Sequence, residues 1–587
     1  MPIESFSLSF TALRTLSSGR WLNSHRTLLS ARQASLVLTF VAVILWSYSI
    51  TQAEFTIGFY GLIHSLPASF FVSVAFLTVA SAILWVSPRN EGKLLLLQLI
   101  FFIAALWLTP LLIGGGLPFK DIAYEHWASF VSPITREGGL QGRLHPELIW
   151  YHNWPGYWLL LASETEIQGI DIYPDAIVSM YPFLFQLLLL LPLYLLLRNV
   201  IDDDRANYRW AAAWLFCLGS WTGQFYLGAA QGAGYFLSLL LLAVLTRPLS
   251  SKQPAGLSHS LIAIVLVAAL TISHFLSMLY ILFIIAALFA AKRARSSTLP
   301  VLATVFAASW MMYYATLYFD KNVPGFIEGL FRGDILLFHY LGVTGSGIGE
   351  TPLVSASHTA VARVRLFLTS LLLLIAFAGF VVAYRRRLIS YGHGTVLAIT
   401  AGCMASIGVV SAAYGFEAFE RWWLFLLLPV AYFGTGLLRS RPSAAILVAL
   451  LLIASPLHII AHTGNQAIDY VSPQWTASSR FLSETVVYEN YVTGGIHPWF
   501  AMSRPILWRG VTFEDLEWRE GRVIHYAELT YLPHYISIGE RERRHYAYAL
   551  DEPEYIQERE DLLERASNYN LIYDNASQRV YQSEAQD

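Results

Sequence analysis

The residues best suited to chemistry lie in one polar stretch, LPFKDIAYEHWASFV, directly after a long apolar run. Within it Asp121, Glu125 and His126 are spaced by four and one. Positions i and i+4 share a helix face, so Asp121 and Glu125 would project together beside His126. A carboxylate at a water–membrane boundary is partly desolvated, which raises its pKa toward the range of a general base. The plainer reading is a solvated interfacial turn with Asp121 as a helix N-cap. The residues alone leave both readings open.

Other polar residues flank apolar runs in the same way. The segment HPELIWYHNWPG carries His152 and Trp154, suited to stacking a sugar or polar head group, or to an interfacial aromatic belt. His145 and His152 could join carboxylates around a divalent metal such as Mg or Mn, but their spacing matches no dedicated metal motif. Gln224, Tyr226 and Gln231 fall between two apolar runs, and His274 interrupts another in TISHFLS. An ionisable residue at membrane depth is a functional candidate by default, although a lone His there is often a satisfied core residue. YGFEAFERWW brings Glu417, Glu420 and Arg421 to the start of an apolar run. Arg421, like Arg363 and Arg365, presents a fork of donors that matches a phosphate. The alternatives are a structural Glu–Arg pair and, for Arg363 and Arg365, snorkelling to the interface.

The elements that hold these residues are membrane helices. Of 587 residues, 56% are apolar and only 13% charged, against about 25% charged in soluble domains. Runs of roughly 18 to 20 apolar residues can cross a bilayer. Thirteen are expected, near 34–51, 66–86, 93–114, 176–198, 208–222, 228–246, 258–273, 275–291, 299–318, 362–384, 391–413, 420–437 and 443–461. The pair 258–273 and 275–291 reads equally as one broken element. Basic residues such as Arg89, Arg198, Arg205, Arg247, Lys292, Arg385 and Arg439 collect in alternate connections. The positive-inside rule then puts the N-terminus inside and the C-terminus outside. The first apolar run has no small-residue cleavage site and reads as an uncleaved anchor.

Three parts follow: a basic cytoplasmic arm (1–33), a membrane domain (34–461) and an extracytoplasmic tail (462–587). The outer loops 115–175 and 319–361 and the tail share one face, while the inner connections are short. The tail reads as a small mixed α/β domain, helical over 552–567, with strand-like runs at 521–529 and 570–573. A net charge of -2 excludes a phosphate-neutralising nucleic-acid binder. Two cysteines exclude a disulfide scaffold and a cysteine-based zinc module.

In order along the chain, several of these motifs resemble the GT-C class of polytopic glycosyltransferases, the superfamily of protein mannosyltransferases and oligosaccharyltransferases. They are the acid of the first large outer loop (Asp121), the stretch from Tyr151 through Trp154-Pro155-Gly156 to Gly169, and the Gln224–Gln231 turn. Ser273-His274, the run from Glu417 through Arg421 to Pro429, and the tail pattern NLIYDNASQRVYQ complete the series. The resemblance covers most of residues 93–582. It implies an enzyme of the cell membrane that moves a hexosyl or pentosyl group from a polyprenyl-phosphate-linked donor to a glycan, lipid or protein acceptor on the outer face. Asp121 would serve as base in an inverting transfer, with Glu125 and His126 beside it. Arg421, or Arg363 and Arg365, would stabilise the departing phosphate. No Asp-x-Asp lies near Asp121, which leaves metal use open. The competing readings are a transporter or flippase, or a polysaccharide ligase, for lipid-linked glycans.

Overall fold

A computed structural model describes residues 30–114, 123, 126–138, 140, 149–170, 175–222, 225–246, 257–294, 298–318, 356–386, 390–414, 417–465, 470, 472–485, 492–494, 516–519, 522–525, 535–539, 542–543, 554–576 and 578–583. The arm 1–29, the loop 319–355, Asp121, Glu125 and Gln224 lie outside these residues.

Each of the thirteen apolar runs falls on a helix. In chain order the helices of the structure begin with α1 (Ala31–Gln52), α2 (Ala68–Trp85), α3 (Gly92–Leu112), α4 (Ser132–Glu137), α5 (Gly156–Gln168), α6 (Asp175–Val200), α7 (Ala206–Gly219), α8 (Ala230–Leu245) and α9 (Leu257–Ser273). They continue with α10 (Phe275–Ala290), α11 (Leu299–Tyr313), α12 (Ala356–Arg385), α13 (Tyr391–Tyr414), α14 (Glu417–Gly434) and α15 (Arg441–Thr463). Among the described residues seven helices are long and apolar enough to cross a membrane. The count of thirteen crossings is therefore not established. A helix of the 17 residues of α9 rises only about 26 Å, short of a roughly 30 Å hydrocarbon core.

Local signals explain several boundaries. Ser30 and Gln33 form a capping box, so α1 begins ahead of its apolar run. His274 has extended backbone angles and caps α10 through Ser277 N, which breaks the apolar stretch into α9 and α10 at one residue. Pro110 cannot donate to the preceding turn, and α3 loosens into a π turn at Ala104–Leu108.

Within the bilayer region small polar side chains tie α1, α2 and α3 together. Gln98 Nε2 donates to Ser35 Oγ and Thr39 Oγ1, both at 2.8 Å, and its Oε1 accepts from Ser81 at 3.0 Å. Such bonds replace the hydrophobic drive that lipid cannot supply between helices.

Contacts across the bundle gather alternate connections at two ends. One end joins Arg32 to Glu91, Asn207 to the carbonyls of Leu84, Ser87 and Arg89, and Tyr208 to Leu438 O. The other joins the loop at 149–155 to α10 and α11, and the end of α7 to α15. The start of α1 lies at the first end and the end of α15 at the second.

Beyond α15 come α16 (Pro473–Thr485), β1 (Val492–Gly494), β2 (Leu516–Arg519), β3 (Arg522–His525), β4 (Tyr535–Gly539), α17 (Tyr555–Arg565), β5 (Tyr569–Asp574) and β6 (Gln578–Ser583). The four-stranded sheet has the order β1-β4-β6-β5, and β2-β3 is a separate hairpin. β1 is parallel to β4, while β6 runs antiparallel to both β4 and β5. The expected helix and strands of the tail are present. Ile536, Ile538, Ile556, Leu563 and Tyr581 form its core. Glu560, with a side chain 1% exposed, is bonded by Arg543 at 2.6 Å. Asn575 donates to Gln474 O at 2.9 Å and so fastens the β5–β6 turn to α16.

Candidate functional site

His126 opens a π turn at Trp127–Val131 that leads into α4. Its half-buried ring leans on Phe130, Trp158 and Tyr226, with centroids 5.3, 6.0 and 5.6 Å away. Nδ1 lies 3.1 Å from Gly228 O. A carbonyl only accepts, so Nδ1 carries the hydrogen and Nε2 keeps the lone pair. Tyr226 OH lies 3.4 Å from the same nitrogen. Burial pushes the His126 pKa down to about 4; the Gly228 bond opposes this and the positive charge of Arg421 adds to it. The ring is neutral at physiological pH.

Gly228 is held on both sides. Its N–H donates to Tyr157 OH at 3.3 Å, and Tyr157 OH meets Tyr181 OH at 3.3 Å. Gly228 has φ +93°, and a Cβ there would lie 3.2 Å from His126 Cβ and 3.4 Å from Ala123 O. Only glycine fits this backbone without strain. The FYLGAAQG turn therefore positions His126. One turn further on, Gln231 is buried, and neither amide atom has a protein partner among the described residues.

Arg421 lies in the first turns of α14. The indole of Trp422 donates to Cys403 O at 3.1 Å and that of Trp423 to Gly219 O at 2.8 Å. These two bonds, to α13 and α7, fix the rotation of α14 about its axis. The charge of Arg421 reaches both His126 and His274. Four distant segments thus supply His126, Tyr226, His274 and Arg421 to one end of the bundle. The side chains of Glu417 and Glu420 lie outside the described residues.

His152 and Trp154 are engaged with protein. His152 is fully buried, its Nε2 2.9 Å from Phe130 O. Trp154 packs on Phe275 and Tyr318, with centroids 5.3 and 4.7 Å away. Asn153 joins the same loop to α11: its carbonyl accepts from Trp310 Nε1 at 2.8 Å and its Oδ1 from Tyr318 N at 3.0 Å. Gly156 is pressed against Ile272 and Ser273, so the WPG and SH motifs touch. Arg365 donates to Ala461 O at 2.8 Å and lies over the Trp221 ring at 5.4 Å. Arg363 is exposed on the same turn of α12.

Sequence reasoning passed over His458 and His462. Both are buried on α15, with Nδ1 atoms 2.7 Å from Leu218 O and 3.3 Å from Trp221 O. Their i, i+4 spacing inside an apolar run was the available signal. Tyr157 and Gly228 carried no comparable signal, because their roles depend on contacts 71 residues apart in sequence.

Among the described residues His126 Nε2 is a candidate ligand for a divalent metal, oriented by the Nδ1–carbonyl bond as metal-binding histidines are. Among the described residues no group of three or more His, Cys, Asp or Glu side chains converges to hold an ion.

No protein-family model and no curated protein matches this chain. Two solved structures of the oligosaccharyltransferase of Archaeoglobus fulgidus are similar to it. The complex with Zn and sulfate is 13% identical over 88% of this chain and 73% of that one, with a TM-score of 0.40. AglB in complex with an inhibitory peptide and a dolichol-phosphate is 14% identical over 88% and 74%, with a TM-score of 0.39. The helices themselves define an integral membrane protein of the polytopic α-helical kind, carrying a small α/β tail.

Proposed function

We propose that this protein is a membrane glycosyltransferase that takes a sugar from a polyprenyl-phosphate carrier and works at the tail-bearing, outer end of the bundle. The observation that carries the reading is the gathering of His126, Tyr226, His274 and the Arg421 charge at that end. In this reading the acceptor hydroxyl loses its proton to Asp121 as its oxygen bonds to the anomeric carbon. The bond from that carbon to the carrier phosphate breaks, and the phosphate leaves with the electron pair. Arg421 opposes the charge that develops on it. Neutral His126 offers Nε2 as a hydrogen-bond acceptor that orients the acceptor hydroxyl beside the carboxylate. His152 and Trp154 act by positioning: His152 ties the loop before α5 to the Phe130 carbonyl, and Trp154 packs it on Phe275 of α10 and on Tyr318. Arg365 holds the end of α15, and Arg421 and the exposed Arg363 serve in this reading as cations for phosphate.

The test uses purified full-length protein and a panel of polyprenyl-phosphate sugars, with release of the bare carrier phosphate followed by mass spectrometry. Release by the wild type and its loss in Asp121→Asn and Arg421→Gln are expected. Full activity in Asp121→Asn removes the base assignment. Failure of every donor to bind removes the glycosyltransferase reading and favours a transporter.

A further inference from the structure

At the opposite end of α14 a second polar site is built into the bundle. The span from Arg421 to Arg439 is 19 residues, so this site lies roughly 27 Å along the axis from the first. A cavity there is lined by Asp202, Arg205, Tyr208, His393, Tyr432 and Arg439. Its walls come together because side chains are missing. A Cβ on Gly392 would collide with Val200 O, and one on Gly436 with Gly379 O. The end of α6 therefore meets the start of α13, and the turn after α14 meets α12, backbone to backbone.

The polar groups around the cavity are mostly fixed by protein. His393 is buried, with Nδ1 2.9 Å from Tyr432 OH and 3.3 Å from Ser390 Oγ. Tyr208 donates to Leu438 O at 3.1 Å. Arg386 donates to Arg439 O at 2.8 Å, which anchors the Arg439 backbone. The Arg439 side chain is different. Its Nε is buried, and its guanidinium has no hydrogen bond or ion pair to the described residues. Arg205 lies close enough for its charge to act on Arg439, and is itself 3.7 Å from Asp204. A buried Nε–H without an acceptor is costly. A phosphate accepts its parallel donors in the geometry the fork prescribes.

We propose that this cavity binds the phosphate group of an anion, seated between Arg439 and Arg205. Size limits the ligand. The cavity volume is about 20 Å³, a little above the roughly 10–15 Å³ that one water needs. That is room for about one water, so a phosphate would seat an oxygen at the mouth against the guanidinium, and a nucleotide base or a sugar would not enter. Asp202, at the rim, opposes the anion and keeps binding moderate. Two sources share this chemistry: the head group of an anionic lipid and free phosphate in solution. The proposal does not depend on the transfer reaction at the other end.

The experiment takes full-length protein in nanodiscs or detergent. In one arm, native mass spectrometry compares retention of phosphatidic acid with that of phosphatidylcholine. In the other, inorganic phosphate in a chloride buffer is titrated against thermal unfolding. The expected result is one retained phosphatidic acid, or a rise in unfolding temperature with phosphate, weakened about tenfold in Arg439→Ala. Arg439→Lys should recover part of the loss, and Asp202→Asn should tighten binding. Lipid retention without a phosphate effect assigns the head group, and the converse assigns the soluble ion. If Arg439→Ala does not fold, Arg439→Lys and Asp202→Asn carry the test. Absence of binding in both arms overturns the proposal. So does wild-type binding in folded Arg439→Ala, or, where that variant does not fold, binding unchanged in both Arg439→Lys and Asp202→Asn.

Discussion

His126 and Gly228 stand 102 residues apart in the chain and share a hydrogen bond of 3.1 Å. The carbonyl takes the Nδ1 hydrogen, so the turn before α8 dictates which nitrogen of the imidazole can accept. The positive φ of Gly228 is what brings that carbonyl within reach.

Gly228→Ala tests this directly. The new Cβ meets His126 Cβ and Ala123 O in a backbone conformation that alanine avoids, at a cost of about 1–2 kcal/mol. Carrier release should fall at least about tenfold, as a misplaced reacting group commonly costs, while helix content by circular dichroism is retained. An alanine variant with wild-type turnover would detach the glycine from the site.

The protonation of His126 can be read by ring NMR. Its folded pKa of about 4 lies below the usual value of about 6.5, through burial and the Arg421 charge against the pull of the Gly228 bond. The folded state therefore disfavours the proton. The resulting stability is complete above about pH 6.5 and is lost as pH falls from there through about 4. No His126 titration should appear between pH 5 and 8, and Arg421→Gln should move its midpoint upward. A midpoint that ignores Arg421 would separate the two residues.

Asn153→Ala removes the acceptor of Tyr318 N–H and the donor to Tyr314 O. Leaving a buried donor unpaired costs about 1–3 kcal/mol. Thermal unfolding should start earlier, and hydrogen exchange should rise first around residues 314–318. Asn153→Asp keeps the acceptor, so it should be the milder change.

In the tail, Glu560 accepts from Arg543 and lies 3.8 Å from Arg579. Glu560→Ala removes the acceptor of Arg543, which is exposed enough to be hydrated, so the loss should be about 1–3 kcal/mol. Limited proteolysis should cut the tail in this variant while the membrane helices stay protected. Simultaneous loss of both would mean that the two parts unfold as one unit.

The helices were legible because apolar runs are long and their composition is one-sided. Even the break between α9 and α10 was visible, as a single His in an apolar stretch. Two features escaped for physical reasons. The π turns at Ala104–Leu108 and Trp127–Val131 leave no compositional trace, yet the second carries the chain from His126 into α4. Their presence follows from packing and from a proline downstream. The partners of Asn153 are 157 to 165 residues away, a separation that no local pattern encodes. His152 and Trp154 drew attention for their chemistry, and their contacts are with backbone and neighbouring rings. The expectations for Asp121, Glu125 and Gln224 fall outside the described residues, while His126 lies against Tyr226, and the charge of Arg421 reaches both His126 and His274.

The span Arg421–Arg439 has the lowest mean hydropathy of the seven and is 94% enclosed by its neighbours. A helix of this kind gains little from lipid. Its insertion during synthesis depends on earlier helices already standing in the bilayer, α7 and α12 among them. The segment that bears an arginine at each end is thus the one whose biogenesis is most collective, and defects in those neighbours should appear first as failure of this helix to enter.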